Sequence, residues 1–211
     1  MLCINQLENE PTPSNCFVLY DKTVDDSCII VDAGSEENNV LYQFLDQENL
    51  KPEYIILSHE HFDHCWGTDA IVEKYHSPIV CTELCVECLR EESRNCSMYY
   101  DSEDGFIIQR ESISIEELNY LLPFAGAILS FFQTPGHTDA SISFTVGKCL
   151  FTGDALIKDK RTYTKLPTGS VDGVKESLCT LKNLQGNGFT VYPGHGEPFE
   201  LDIYDINKMV S

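Results

Sequence analysis

The chain lacks any apolar run near the roughly 20 residues that a membrane-spanning helix needs, so no membrane partner is expected. It is poor in positive charge, with 14 Lys and Arg against 34 Asp and Glu, a formal net charge of -20. Such a surface repels nucleic acid and anionic lipid alike. The opening residues Met1–Glu8 lack the basic start and long apolar core of an export signal, and a cytoplasmic location is the expectation. No repeat, low-complexity tract or long linker divides the sequence. At 211 residues with 42% hydrophobic composition, it suits one domain, residues 1–211, with a full core.

Cysteine is not scarce: there are ten. In a long chain without an export signal, reduced thiols are the reading rather than disulfides. The close grouping is Cys81, Cys85 and Cys88. Its spacing can hold an iron–sulfur cluster, but positions i, i+4 and i+7 also define one buried helix face.

Apolar runs predict strands over residues 16–20, 27–32, 54–57, 78–81, 127–132, 141–146, 149–152 and 189–192, with hairpins at residues 21–26 and at Gly147-Lys148. Helices are expected over residues 36–47, from Asp63 (as cap) to Tyr75, after the 78–81 strand to about Glu92, over 174–184 and, shorter, over 201–210. Residues 94–104 read as a polar loop. Interspersed strands, many apolar on both faces, point to packed sheets with helices outside.

Histidine is rare, six in all, yet three fall within six residues: His59, His61 and His64, with Asp63 among them. H-x-H-x-D-H arises by chance in roughly 3 of 10,000 chains of this composition. Imidazole and carboxylate are ligands for zinc or iron. His137 and His195 stand in glycine turns, Pro135-Gly136-His137 and Pro193-Gly194-His195, and Asp154 in Thr152-Gly153-Asp154. Each follows an apolar run closely, as does the His59 cluster, which suits strand ends converging on one site. His76 has no such company and reads as structural. Phe62 and Trp66 read as packing beneath the cluster. Tyr163 and Lys165 either touch substrate or belong to a solvated loop.

In type and order, His59-x-His61-x-Asp63-His64, His137, Asp154 and His195 resemble the metallo-beta-lactamase superfamily, over nearly the whole chain from Val31-Asp32-Ala33-Gly34 onward. The resemblance implies an α+β fold, a four-layer αββα sandwich with the site at one edge. It implies two divalent metal ions, Zn²⁺ foremost with Fe or Mn as alternatives. One would take His59, His61 and His137, and the other Asp63, His64 and His195. Asp154 would bridge them, and Asp32 would support from behind. Phe151–Leu156 and Lys160–Ser170 look most like glyoxalase II-like hydrolases. Only 16 residues follow His195, where glyoxalase II carries a helical extension that helps bind glutathione. The reaction so implied is hydrolysis of a small thioester, ester or lactone by hydroxide formed from a metal-held water, with Asp63 as a catalytic residue orienting that water. Two alternatives are a mononuclear iron dioxygenase acting on persulfides and a non-catalytic metal-binding module of the same fold.

Overall fold

A computed structural model describes residues 2–100, 105–115 and 120–206. Two six-stranded mixed sheets form its centre. The first runs in spatial order β1 (Cys3–Glu8), β2 (Asn15–Tyr20), β3 (Ser27–Val31), β4 (Lys51–Ile56), β5 (Ile79–Cys81) and β6 (Ser112–Ser114). The second contains β7 (Leu121–Phe124), β8 (Ala127–Gln133), β9 (Ile142–Val146), β10 (Cys149–Gly153), β11 (Thr190–Pro193) and β12 (Phe199–Glu200), in reverse spatial order. Helices α1 (Asn39–Glu48), α2 (Phe62–Cys65), α3 (Thr68–Tyr75) and α4 (Glu83–Leu89) belong to the first half, and α5 (Val171–Lys182) to the second.

Alternation along the strands explains the layers. Phe17, Leu19, Ile29, Val31 and Ile56 point into a core shared with Phe131, Phe144 and Phe151 of the opposite sheet. Their neighbours Val18, Cys28, Ile30 and Ile55 point outward beneath Leu41, Leu45, Ile71 and Leu89 of the helices. Leu150 and Val191 meet Val174, Leu178 and Leu181 of α5 in a third cluster. Side chains of successive strand residues take opposite faces, so a strand apolar at every position must be covered on both. The result is the αββα sandwich. Phe144 and Phe151 stack at 4.6 Å between centroids in the central layer.

Strands β3 and β4 run parallel, as do β10 and β11. β8 and β10 each pair antiparallel with β9. The carboxyl ends of β3, β4, β8, β10 and β11 therefore supply one edge, from which Asp32, the His59 cluster, His137, Asp154 and His195 follow directly.

Several elements differ from expectation. The helix from Asp63 to Tyr75 is two helices, because Gly67 gives its N–H to Ala33 O and its carbonyl to Asn38 Nδ2. His61 rather than Asp63 holds the cap position of α2. Cys81 ends β5, so only Cys85 and Cys88 lie on α4; all three are buried. Their sulfurs form no metal-sized group. Thr82 caps α4, its hydroxyl accepting from Cys85 N at 3.0 Å. Strands β1, β6, β7 and β12 were not expected. Of the helix expected over 201–210, Leu201–Ile203 form a 3-10 turn and residues 207–210 lie outside the described residues, as does the end of the 94–104 loop. His76 closes α3 in a left-handed conformation.

Candidate metal centre

All seven sequence-predicted donors meet at the edge described above. His59, His61 and His137 offer ligand atoms within 4.8 Å of one another, as do Asp63, His64 and His195, and as do His59, His64 and Asp154. Within the first group, Nδ1 of His61 lies 2.9 Å from Nε2 of His137. Within the second, Asp63 Oδ2 is 3.4 Å from His195 Nε2 and 3.7 Å from His64 Nε2. Asp154 spans the two: Oδ1 is 3.6 Å from His64 Nε2, and Oδ2 is 3.6 Å from His137 Nε2 and 3.5 Å from His195 Nε2.

Local backbone chemistry sets these positions. Gly194 passes so close that a Cβ there would sit 2.2 Å from Asp154 Oδ1 and 2.8 Å from His64 Cε1. Gly136, at φ 134°, takes a conformation that side-chain-bearing residues avoid. Its carbonyl accepts from Ser170 N at 2.9 Å, and Ser177 Oγ donates to Pro135 O at 2.6 Å, so α5 buttresses the His137 turn.

A surrounding layer of hydrogen bonds orients the rings. Asp32, left-handed at φ 58°, accepts from Ser58 N at 2.8 Å and Ser58 Oγ at 2.7 Å, and its Oδ2 lies 3.0 Å from His64 Nδ1. Left-handed backbone costs a non-glycine residue roughly 1–2 kcal/mol, which this buried carboxylate offsets with three contacts. Ser58 Oγ also lies 3.0 Å from His59 Nδ1. The carbonyl of Tyr163 takes His137 Nδ1 at 2.9 Å, and that of Pro13 takes His195 Nδ1 at 2.6 Å. Ser14 Oγ donates a short bond to the Asp63 carbonyl, and Asn9 Nδ2 donates to Ser14 Oγ and to Asp32 O. Sequence reasoning missed Ser58, Asn9, Ser14 and the two carbonyls. Tyr163 is 54% exposed and Lys165 is exposed. Phe62 and Trp66 pack with Tyr100 and Phe106 beside the cluster.

Electrostatics divides the site. Burial, then the neighbouring rings, holds His59 well below the usual imidazole range and lowers His61 to about 3. Burial works the same way on His64 and His195, but Asp63, Asp154 and (for His64) Asp32 outweigh it, raising His64 to about 9 and His195 to about 10. Burial opposes ionisation of Asp63 and Asp154 too, yet the facing histidines hold both below the ordinary carboxylate range. Burial pushes Glu60 up to about 7.

Nε2 of His59, His61 and His64 and Oδ1 of Asp154 are buried without a hydrogen-bond partner. Buried polar atoms usually find partners. His59 and His64 have Nδ1 against Ser58 Oγ and Asp32 Oδ2, which leaves their Nε2 atoms for the donor group they share with Asp154 and fits a site for cations. The donor set, imidazole and carboxylate, suits zinc or iron.

The sequence pattern of the Metallo-beta-lactamase superfamily matches residues 9–195. The chain belongs to that superfamily. It is 30% identical to a probable metallo-hydrolase of Methanocaldococcus jannaschii, covering 87% of this chain and 88% of that one. A probable metallo-hydrolase of Streptococcus pyogenes serotype M6 is 29% identical over 92% of this chain and 82% of its own. Among solved structures, the BLEG-1 B3 metallo-beta-lactamase superposes with a TM-score of 0.84 at 25% identity, over 94% of each chain. These relatives support a hydrolase of the superfamily with a candidate His/Asp metal site. No helix among the described residues is long and apolar enough to cross a membrane.

Proposed function

We propose that the chain is a dinuclear metallohydrolase, zinc its expected metal, that cleaves a small thioester, ester or lactone in the manner of glyoxalase II-like enzymes. The observation that carries this reading is the Asp154 carboxylate, whose Oδ2 lies between the two converging groups of donors, near His137 of one and His195 of the other, while Oδ1 faces His64. When bound, a pair of divalent ions lowers the pKa of a shared water and polarises the scissile carbonyl.

The chain's own residues do the rest. His59, His61 and His137 would hold one ion and Asp63, His64 and His195 the other, with Asp154 placed to serve both. Asp63 is only partly buried. Its carboxylate orients the attacking water and can carry a proton. The carbonyls of Tyr163 and Pro13 fix His137 and His195 with Nδ1 outward, leaving Nε2 for the ion. A thiolate leaves near neutrality without being protonated, so a thioester asks least of this site.

Metal analysis after native purification, joined to a thioester, ester and lactone panel, tests the proposal. Two zincs per chain and turnover that Asp63→Ala removes are expected. Failure across the panel with no effect of Asp63→Ala would sink it. One iron per chain with oxygen uptake on a persulfide would replace it with the dioxygenase.

A further inference from the structure

Glu60 stands between two of the seven donors, but its carboxylate lies in another neighbourhood. The residue is 0% exposed. Oε2 accepts from Thr138 Oγ1 at 3.0 Å, while Oε1 is buried and has no hydrogen-bond partner. Nearby are Cys88, buried on α4, and Asp139, exposed at the turn after β8. Ligand atoms of Glu60, Cys88 and Asp139 lie within 4.8 Å of one another.

We propose that Glu60, Cys88 and Asp139 form a further metal site, separate from the seven-donor centre, that takes a thiophilic divalent ion of the zinc class. Zinc with bonds of about 2.0–2.3 Å holds its donors ~3.5 Å apart, so the group must contract slightly. The exposed Asp139 side chain is free to swing inward and close it. Sulfur selects against magnesium and calcium, which prefer oxygen alone. Cys88 binds as the thiolate, its proton leaving to solvent. The three donors then carry three negative charges. A divalent cation and the Arg94 guanidinium, whose charge reaches both Glu60 and Cys88, balance them. Water at the Asp139 side completes a four-coordinate shell.

The position gives the ion a task. Glu60 follows β4 of one sheet, and Asp139 follows β8 of the other. Thr82, at the start of α4, already donates to Ala140 O at 3.2 Å. An ion here clamps the His59–His61 loop, the His137 turn and α4 to one another from behind the main centre.

Cobalt titration of the whole protein tests this independently of any hydrolysis. The seven donors contain no sulfur, so a thiolate-to-cobalt charge-transfer absorption in the near ultraviolet reports the further site alone. We expect the band to saturate with one equivalent of cobalt bound beyond that taken by the seven-donor centre, and Cys88→Ser to abolish it. Asp139→Asn should weaken cobalt binding at this site at least roughly 10-fold. A Cys3→Ser/Cys179→Ser variant, lacking two exposed thiols, should keep the band. No band in the wild type, a band surviving Cys88→Ser, or one lost with Cys3 and Cys179 overturns the site. Should Cys88→Ser not fold, the exposed Asp139→Asn decides: an unchanged band and affinity overturn the proposal.

Discussion

The two halves of the candidate metal centre use the same residue type to opposite ends. In the His59, His61 and His137 half, rings face rings: His59 and His61 lie 4.7 Å apart between centroids, and His61 and His137 4.6 Å. Burial and mutual repulsion keep His59 and His61 neutral, the state in which imidazole ligates. In the Asp63, His64 and His195 half, carboxylates face the rings and hold His64 and His195 protonated up to about 9 and about 10. One half is ready for a cation; the other already carries protons that a cation must displace. The difference teaches that the donor list alone does not set metal affinity. The charges around each donor decide what must leave before the ion enters.

Asp154 is where the comparison breaks most severely. Because its oxygens reach His64, His137 and His195, Asp154→Ala should empty both halves and lower kcat/KM by roughly 10³-fold or more, the scale on which lost electrostatic stabilisation is felt. His61→Ala and His195→Ala should each release one ion and leave the other. Metal content by native mass spectrometry, beside turnover, separates these outcomes. Full loading of either half in Asp154→Ala would show that the halves are independent.

The halves should also part with pH. At pH 7, metal uptake at the Asp63, His64 and His195 half releases up to two protons, and its affinity climbs as pH rises towards about 9 and 10. Each proton displaced is worth up to about tenfold per pH unit. The His59, His61 and His137 half should show a shallower slope. The metal-free chain behaves in the opposite sense. His64 and His195 are raised above the ordinary 6.5, so the stability they add is complete below pH 6.5 and is lost as pH climbs through their folded values. Asp63 and Asp154 are held below 3.8, so theirs is present above pH 3.8 and lost as pH falls. Calorimetric titration in buffers of different ionisation enthalpy counts the protons, and chelated protein melted between pH 6.5 and 10 checks the stability.

Asp32→Asn should act on one half more than the other. Its Oδ2 meets His64 Nδ1 at 3.0 Å, and support of that kind is worth about 10–100-fold in metal affinity. Loss should fall first on the ion held by His64, with a lesser effect relayed through Ser58 to His59. Equal loss at both ions would remove the distinction between them.

What was legible in the sequence follows the same division between donors and their supports. The convergence of the seven candidate donors was visible because histidine is rare here and its positions follow apolar strands, so type, spacing and strand ends agreed. Packed sheets with helices outside were visible because β2, β3 and the end of β4 are apolar at successive positions; the four-layer αββα order came from the family resemblance. The supports left no such trace. Ser14 meets Asp63 across 49 residues, and Pro13 meets His195 across 182; a lone hydroxyl and a backbone carbonyl have no signature at that range. Cys81, Cys85 and Cys88 matched a helical period by coincidence, since the chain turns from strand to helix at Thr82. The break at Gly67 depends on hydrogen bonds to Ala33 and Asn38, which no local pattern records. Strand β1 is partly exposed along its length and has no continuous apolar run to announce it.

Ser14 offers the gentlest cut. Its hydroxyl hydrogen-bonds the Asp63 carbonyl and Asn9 Nδ2, and among the described residues neither bond runs to the His59, His61 and His137 half. Ser14→Ala leaves Asn9 Nδ2 its bond to Asp32 O at 3.0 Å, so the N-terminal loop should stay in place. The cost is two hydrogen bonds, about 2 kcal/mol, and a fall in Tm of about 4–8 °C. Freed from that anchor, the Asp63 backbone can drift, and its carboxylate with it. Affinity at the Asp63, His64 and His195 half should fall by about 10-fold, the lower end for a supporting contact, while the other ion stays bound as tightly as before. Stepwise metal release by a graded series of chelators measures both on one sample. Equal weakening of the two ions would mean that the loop from Asn9 to Ser14 steadies the whole edge rather than the half to which its hydrogen bonds run.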